Sequence, residues 1–325
     1  QVEMLDEVAF LEELVSIPSP SGQEDAVARF LLEQMTALGF RAHRDGAGNL
    51  LGAIGDPNAP REIVLLGHMD TVPGQIHVRQ RDGRLYGRGA VDAKGPLAAF
   101  IIAAARAASR LKSARLLVIG AVEEEHNGKG ARHLAQVLPP PDCVIIGEPS
   151  GWQGITVGYK GRVCVDYRWV QPGSHSAGEQ PGPAEKAVTF WNRLVTYSEE
   201  YNGGRANRFD TLDPALREFR TFGERLHEGV EMNIALRLPP ESNLGVLKRK
   251  MAEWSDGEQL TYSPSDPPYQ AEKNTPLVRA LLKAIRAHGG EPRFKLKTGT
   301  SDMNTVGPAW GCPIVAYGPG DSALD

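Results

Sequence analysis

The sequence Ile63-Val64-Leu65-Leu66-Gly67-His68-Met69-Asp70-Thr71 has the pattern of a strand that ends at a polar site. Its four consecutive apolar residues predict a strand buried on both faces, as in a parallel sheet. His68 and Asp70 follow two positions apart, and because strand side chains alternate, both point to the same side. Ligands of open α/β sheets bind at the carboxyl ends of the strands, and a carboxylate beside an imidazole orients it as a metal ligand. Taken alone, the segment fits a metal site and a capped strand end with a surface histidine equally well.

Three further segments place acidic residues where a buried strand or a glycine-bounded loop ends. Asp92 lies between glycines just before a long apolar helix. Residues 116–122 have a buried-strand pattern that ends in Glu123-Glu124-Glu125, and residues 144–147 have another that ends in Glu148. Negative charges at the mouths of neighbouring strands repel each other unless cations lie between them. The segments together predict a site for more than one metal ion.

The same segments resemble the M20 metallopeptidase family, which includes carboxypeptidases, aminoacylases, acetylornithine deacetylase and succinyl-diaminopimelate desuccinylase. The matching stretches occur in the family's order and span nearly the whole chain: residues 68–73, 89–95, 124–130 and 147–150. The resemblance implies an α/β fold, with a zinc-peptidase-like mixed sheet flanked by helices. It also implies an inserted α+β ferredoxin-like domain that serves as a lid and in dimerisation.

A narrower similarity concerns the substrate. Residues 157–162, 297–304 and 316–322 are most similar to family members that release lysine or ornithine from the C-terminal glutamate of a small acidic amino-group carrier protein, in lysine and arginine biosynthesis. The resemblance implies a zinc-dependent amide hydrolase with that carrier as its substrate. The alternative is a deacylase or dipeptidase of the family acting on small substrates such as acetylornithine or succinyl-diaminopimelate. A nucleotide-binding module is disfavoured, because neither G-x-G-x-x-G nor a Walker sequence is present.

The resemblance implies two zinc ions per subunit, for which cobalt can substitute, and it assigns their ligands. Asp92 bridges the two ions, His68 and Glu148 bind one, and Glu125 binds the other. A further metal-binding histidine is expected beyond Asp325. For Asp92 the bland alternative is an N-cap of the following helix, because aspartate is favoured there.

The resemblance also assigns catalytic and substrate-binding residues. Glu124 is the general base, and Asp70 supports the histidine ligand. We expect the side chains of Glu124 and Glu125 to point apart, because adjacent residues alternate at a strand end. His175 polarises the amide oxygen, and Arg237 binds an amino-acid carboxylate through its guanidinium fork. The alternatives are a surface histidine in a Gly/Ser loop and an arginine paired with a neighbouring glutamate.

The pattern of the chain predicts two domains. Residues 1–150 and 269–325 alternate strands and helices and form a discontinuous metal-binding catalytic domain, whereas residues 151–268 alternate apolar and polar positions and form the inserted domain. An exposed strand edge in that inserted domain is a natural pairing surface, so a homodimer through it is expected.

The composition and charge of the chain limit the classes of partner that it is expected to bind. Apolar residues make up 41% and charged residues 23% of the 325 residues, with a net charge of −4, which argues against nucleic acid. The longest apolar stretch, residues 97–105, is too short to span a bilayer, and we expect a cytoplasmic protein. Residues 279–297 nevertheless carry six basic side chains against Glu291 alone, which fits either docking of an acidic carrier or a solvated helix face.

Overall fold

The computed structural model describes residues 6–173, 181–224, 226–255 and 260–321. The chain divides into two compact units. Unit 1 comprises Gln1–Gly158, Gln270–Leu296 and Ser301–Asp325, and unit 2 comprises Tyr159–Tyr269 and Lys297–Thr300.

Within the described residues the chain forms eight α-helices and fifteen strands. The helices are α1 (Glu7–Ser16), α2 (Asp25–Ala37), α3 (Lys94–Ala107), α4 (Lys129–Val137), α5 (Pro183–Asn202), α6 (Leu244–Trp254), α7 (Pro276–Ala287) and α8 (Met303–Trp310). The strands are β1 (Arg41–Arg44), β2 (Leu50–Ile54), β3 (Arg61–His68), β4 (Arg79–Arg81), β5 (Arg84–Tyr86), β6 (Ala114–Ala121), β7 (Cys143–Ile146), β8 (Gly154–Tyr159), β9 (Gly161–Pro172), β10 (Asp213–Glu224), β11 (His227–Leu238), β12 (Leu260–Tyr262), β13 (Tyr269–Gln270), β14 (Arg293–Lys297) and β15 (Ile314–Ala316).

Strand β3 lies inside a nine-stranded sheet of order β1-β2-β6-β3-β7-β15-β8-β13, with β14 paired to β8. It runs parallel to both neighbours, β6 and β7, whereas β2 runs antiparallel to β6, so the sheet is mixed. Val64, Leu65 and Leu66 are buried, which confirms the strand predicted from the apolar run. Because β6, β3 and β7 are parallel, their carboxyl ends lie side by side at one edge of the sheet.

Helix α3 packs closely on that edge because two glycines leave room for it. A Cβ atom on Gly67 would lie 3.3 Å from the Cβ of Leu97, and one on Gly147 would lie 2.8 Å from the ring of Phe100. Both glycines directly precede a polar residue at a strand end. The close approach therefore brings the loop that carries Asp92, just before α3, to the ends of β3 and β7.

The sequence-based domain boundary between residues 150 and 151 differs from the structure at β8. Residues from 151 onwards were predicted to belong to the inserted domain, with alternating apolar and polar positions, but β8 belongs to the nine-stranded sheet and all six of its residues are buried. Two glycines and Thr156 interrupt its apolar residues and imitate an alternating pattern. The hydroxyl groups of Thr156 and Ser150 lie 3.0 Å apart and hydrogen-bond, which permits burial of this polar side chain.

Unit 2 contains a four-stranded antiparallel sheet of order β10-β11-β9-β12, with helices α5 and α6 between its strands in the chain. Alternate apolar residues of β9 and β11, such as Val165 and Ile234, form a core with Phe190 and Leu194 of α5 and Met251 of α6. Strand β10 was not predicted from the sequence, because residues 215–221 are exposed and rich in charge. None of the described helices has the length and apolar character of a transmembrane span.

Candidate metal and catalytic site

Three residues from separate segments meet at the carboxyl edge of the nine-stranded sheet. His68 ends β3, Asp92 lies in the loop before α3, and Glu148 follows β7. One potential ligand atom from each lies within 4.8 Å of the other two, and within the described residues this is the one group able to hold a metal ion. An imidazole with two carboxylates at a largely buried position is a donor set that suits zinc and similar divalent ions.

The orientation of His68 is fixed by Asp70. Its Nδ1 lies 3.0 Å from the backbone oxygen of Asp70 and 3.3 Å from its Oδ1, whereas Nε2 lies 3.1 Å from Oδ1 of Asp92. Nδ1 therefore carries the proton that Asp70 accepts, and Nε2 faces the other ligands, as in metal-binding histidines backed by a carboxylate.

Electrostatics at this position are dominated by the carboxylates. Burial lowers the pKa of His68, but hydrogen bonds to Asp70 and Asp92 and the charge of Glu124 outweigh it and raise the pKa well above 6.5. Burial raises the pKa of Asp70, but its hydrogen bond and charge interaction with His68 outweigh it, so the pKa is lowered. A metal cation here would favour neutral imidazole and ionised carboxylate, because positive charge stabilises both.

Asp70 also holds the turn that carries the candidate catalytic glutamates. Its Oδ1 accepts a hydrogen bond from the backbone N–H of Glu124 at 3.1 Å, and its Oδ2 accepts one from that of Glu125 at 3.0 Å. The hydroxyl of Ser21 donates to the same Oδ2 at 2.7 Å. One buried carboxylate thus fixes His68 and the glutamate turn together.

The two preceding backbone amides of this turn are bound in the same way. The N–H of Val122 donates to Oδ1 of Asn49 at 3.0 Å, and the N–H of Glu123 donates to Oε1 of Glu24 at 3.1 Å. Side-chain oxygens therefore accept from four consecutive backbone N–H groups, residues 122–125. Gly130 allows this arrangement, because a Cβ there would lie 2.3 Å from Oδ1 of Asn49 and 2.7 Å from the N of Val122.

The structure does not support the expectation that the side chains of Glu124 and Glu125 point apart as neighbours at a strand end. Strand β6 ends at Ala121 and Glu123 has a φ of 56°, so Glu124 and Glu125 lie in a turn beyond the end of the strand. Strand alternation therefore does not apply to them. The backbone of this turn is instead held by the hydrogen bonds from its amides to Asp70.

Glu124 lies among other carboxylates. Burial raises its pKa first, and the charges of Glu148, Asp302 and Glu125 raise it further, against the opposing effect of His68. Asp302, which is 4% exposed, was not identified from the sequence as a site residue. Asp302 directly precedes α8, and an aspartate at that position is typical of an N-cap, so the sequence pattern did not indicate a site residue.

Glu125 and His175 are placed differently from the other candidates. The ligand group of His68, Asp92 and Glu148 does not include Glu125, whose side chain instead lines an adjacent cavity. His175 lies outside the described residues.

Arg237 lies in unit 2, on β11. Its Nη1 donates to the hydroxyl of Thr300 at 3.3 Å, and Arg162 is its cross-strand neighbour on β9. Burial lowers the pKa of Arg237 and the charge of Arg162 lowers it further. Within the described residues no acidic side chain forms a salt bridge with Arg237, so the alternative of pairing with a glutamate is not observed.

The adjacent cavity has a volume of about 840 Å³ and lies entirely in unit 1. Residues 15–21, the end of α1 and the segment after it, form one wall, and residues 71–78, in the segment after β3, form another. Gln23, Arg88, Lys94, Glu125 and His126 complete the described lining.

The sequence profile of the peptidase family M20/M25/M40 matches residues 64–325. The chain belongs to this family. Membership confirms the resemblance that the motifs indicated. An M20 family metallo-carboxypeptidase from Sulfolobus solfataricus has a similar fold, with a TM-score of 0.76 and 18% identity over 97% of this chain and 91% of that one. The mixed α/β fold with a central sheet and flanking helices is thus a fold of M20 peptidases.

Two relatives are more similar in sequence. The LysW-lysine hydrolase of Deinococcus radiodurans is 43% identical over 97% of this chain and 88% of its own length. A protein of Pyrococcus furiosus with the provisional name LysW-lysine/LysW-ornithine hydrolase is 41% identical over 98% of this chain and 89% of its own.

Proposed function

We propose that this M20 family member is a metal-dependent amide hydrolase that releases lysine or ornithine from the C-terminal glutamate of an acidic amino-group carrier protein. The observation that carries the proposal is the convergence of His68, Asp92 and Glu148 beside the buried Glu124, in a chain 43% identical to a LysW-lysine hydrolase. Biosynthesis of lysine and arginine in the cytoplasm is the setting in which such a reaction belongs.

The metal centre would hold two zinc ions per subunit, with cobalt as a functional substitute. Asp92 would bridge them, His68 and Glu148 would bind one, and Glu125 would bind the other. The donor set supports this, because neighbouring carboxylates raise the pKa of Glu124 and a cation would relieve their repulsion. Zinc bound here would polarise the amide carbonyl and lower the pKa of a water molecule towards neutrality.

The chain's own residues would then move the protons. Glu124 would accept a proton from the attacking water and donate it to the leaving amine, because a carboxylate held beside the reacting group can serve as base and then as acid. Asp70 would keep Nε2 of His68 directed at the metal through the Nδ1 contact. His175 would polarise the amide oxygen.

Arg237 would bind the carboxylate of the amino acid that is released. Its burial and its like-charged neighbour Arg162 both disfavour a guanidinium without an anion, and a carboxylate would relieve that cost. The Thr300 hydroxyl holds one edge of the guanidinium, which leaves the other available for a planar ligand.

Unit 2 would serve as the lid and dimerisation domain. Its strand and helix order with sheet order β10-β11-β9-β12 supports the ferredoxin-like fold that the family resemblance implied. The twelve-residue edge strand β10 supports pairing between two copies, because an unpaired edge presents free backbone donors and acceptors. Light scattering on the purified protein tests this, and a monomer with full activity at assay concentration would contradict the homodimer.

The deciding experiment compares substrates. Carrier-linked lysine and ornithine are offered beside acetylornithine and succinyl-diaminopimelate, and the metal content of the purified enzyme is measured in parallel. We expect metal-dependent release of lysine or ornithine from the carrier with the highest kcat/KM. Preference for a small acyl substrate would instead support the alternative of a deacylase or dipeptidase.

A further inference from the structure

Arg88 lines the cavity beside the candidate metal site, and only part of the hydrogen-bonding capacity of its guanidinium group is used. Its Nε donates to the carbonyl oxygen of Gly74 at 3.1 Å, and this contact holds the guanidinium in place. Gly74 has a φ of 103°, a conformation that lets the loop turn its carbonyl towards Arg88. Within the described residues, Arg88 has no acidic side chain at salt-bridge distance.

Lys94 is the other permanently charged cation among the described residues that line the cavity, and its ammonium group already has partners. The ammonium of Lys94 donates to the carbonyl oxygens of Leu14 and Ile17, at 3.2 Å and 2.5 Å. Nδ1 of His126 lies 3.8 Å from a carboxylate oxygen of Glu123. Arg88 is therefore the permanent cation of the described lining whose remaining donors are available to an anion.

The chemistry of the proposed substrate supplies such an anion. A terminal glutamate with one carboxyl group in the scissile amide keeps its other carboxyl group as a carboxylate, whichever of the two forms the amide. Guanidinium binds carboxylates through paired, charge-assisted hydrogen bonds. Glu125 lines the same cavity as Arg88, so a group near the metal site and a group in the cavity can belong to one acyl chain.

We propose that Arg88 binds the free carboxylate of the carrier's terminal glutamate and so selects an acidic acyl group. This inference rests on the proposed function, which it extends from the released amino acid to the acyl side of the amide. The competing account is structural: Arg88 holds residues 72–78 in place through Gly74 and contacts no substrate.

The test measures acyl selectivity rather than activity alone. Nα-glutaryl-lysine and Nα-pentanoyl-lysine have acyl chains of equal length, but only the first ends in a carboxylate. We expect the wild type to prefer the glutaryl substrate by about 10- to 100-fold in kcat/KM, the scale of a hydrogen bond to a charged group. Arg88→Gln should move this ratio towards one, mainly through KM, and Arg88→Lys should give an intermediate ratio.

Controls separate recognition from structure. Arg84→Gln removes an exposed arginine of β5 that does not line this cavity, and it should keep the wild-type ratio. Metal content and melting temperature are measured for every variant. The ratio is also measured with carrier-linked lysine whose terminal glutamate carboxylate is intact or amidated, so that the comparison does not depend on small substrates.

The outcomes are distinct. If Arg88→Gln lowers kcat/KM for both acyl groups by the same factor and the ratio stays at the wild-type value, Arg88 is structural and the inference is wrong. Equal wild-type rates on intact and amidated carrier would overturn it as well, while hydrolysis of the carrier upholds the proposed function. If the wild type releases no lysine from carrier or small substrates, the proposed function fails and this inference fails with it.

Discussion

Asp70 contacts four different groups of the candidate site. Its carboxylate meets Nδ1 of His68, the hydroxyl of Ser21 and the backbone amides of Glu124 and Glu125. Asp70→Asn would keep the size but turn an NH₂ group towards at least one of these donors. We expect metal affinity to fall by about 10- to 100-fold, the usual effect of losing such a supporting carboxylate.

Competition with a chelator of known affinity measures the loss for Asp70→Asn. Ser21→Ala removes one of the contacts and leaves the charge, so it should weaken metal binding less. Unchanged affinity in the asparagine variant would show that the carboxylate of Asp70 does not support the metal ligands.

Glu124 and Glu125 are adjacent, and substitution distinguishes their proposed roles. Glu124→Gln keeps the shape and removes the proton acceptor, so turnover should fall by about 100-fold or more, the usual scale of general-base catalysis, with metal content near normal. Glu125→Gln should lose metal instead. Metal analysis together with single-substrate kinetics measures both effects. The reverse result, with metal lost in the Glu124 variant and kept in the other, would mean that the two assignments are exchanged.

At the residue scale, sequence located the groups that follow predictable strands and missed those that the fold brings from elsewhere. His68 and Glu148 come directly after buried apolar runs, which is why their meeting could be predicted. Asn49 and Glu24 bind the glutamate turn across 73 and 99 positions of sequence, and no local pattern marks them. Asp302 was missed because a buried acid before a helix has the same sequence pattern as an exposed cap.

At the element scale, the strands and helices with simple periodicity were predictable and the exceptions have local causes. Asp82-Gly83 is a typical turn sequence of a β-hairpin, and both residues adopt positive φ between β4 and β5, at 52° and 71°. Strand β8 was assigned to the wrong sheet because glycines interrupt its apolar residues. Strand β10 was missed because its exposed edge position allows charged side chains.

The junction between α4 and the glutamate turn gives an element-scale prediction. Gly130→Ala would place a Cβ 2.3 Å from Oδ1 of Asn49 and 2.8 Å from the carbonyl oxygen of Val122, so helix α4 must move away from the turn. Such overpacking costs about 1–3 kcal/mol in the free energy of unfolding, measured by urea denaturation. Because the turn carries Glu124, turnover should fall as well.

Gly46→Ala is the matched control, because no heavy atom outside its chain neighbours lies within 4 Å of a Cβ at Gly46 and its φ is not positive. It should change stability by less than about 0.5 kcal/mol, as surface substitutions usually do. A Gly130→Ala variant as stable and active as this control would show that the turn tolerates displacement of α4.

At the scale of the whole molecule, charge is distributed unevenly. The chain has a net charge of −4, but α7 exposes Arg279, Lys283 and Arg286 on its outer side while Val278 and Ile285 are buried. Oε2 of nearby Glu291 lies 3.7 Å from Nη2 of Arg293, so this carboxylate already has a basic partner. From the sequence, docking of an acidic carrier and a solvated helix face are equally good interpretations. The exposure of these side chains is compatible with both.

The salt dependence of the hydrolysis rate distinguishes these two interpretations of α7. If its cations attract an acidic carrier, kcat/KM for carrier-linked lysine should fall steeply as salt rises, because screening acts over about 10 Å at 0.1 M ionic strength. Hydrolysis of a small acyl-lysine should change far less. The double variant Lys283→Glu with Arg286→Glu should weaken the carrier reaction and spare the small substrate.

The loss in this double variant should lie mainly in the rate of association, because charges at the rim of an interface act on encounter more than on dissociation. Stopped-flow mixing with labelled carrier measures that rate. The control reverses Arg110 and Lys112, which are equally exposed but lie outside α7, between α3 and β6, and it has the same effect on net charge. Equal losses in both double variants would assign the effect to net charge, and equal salt sensitivity for carrier and small substrate would remove docking from α7. The proposed metal site and proton transfers would be unaffected in either case, because they depend on residues outside α7: His68, Asp92, Glu124 and Glu148.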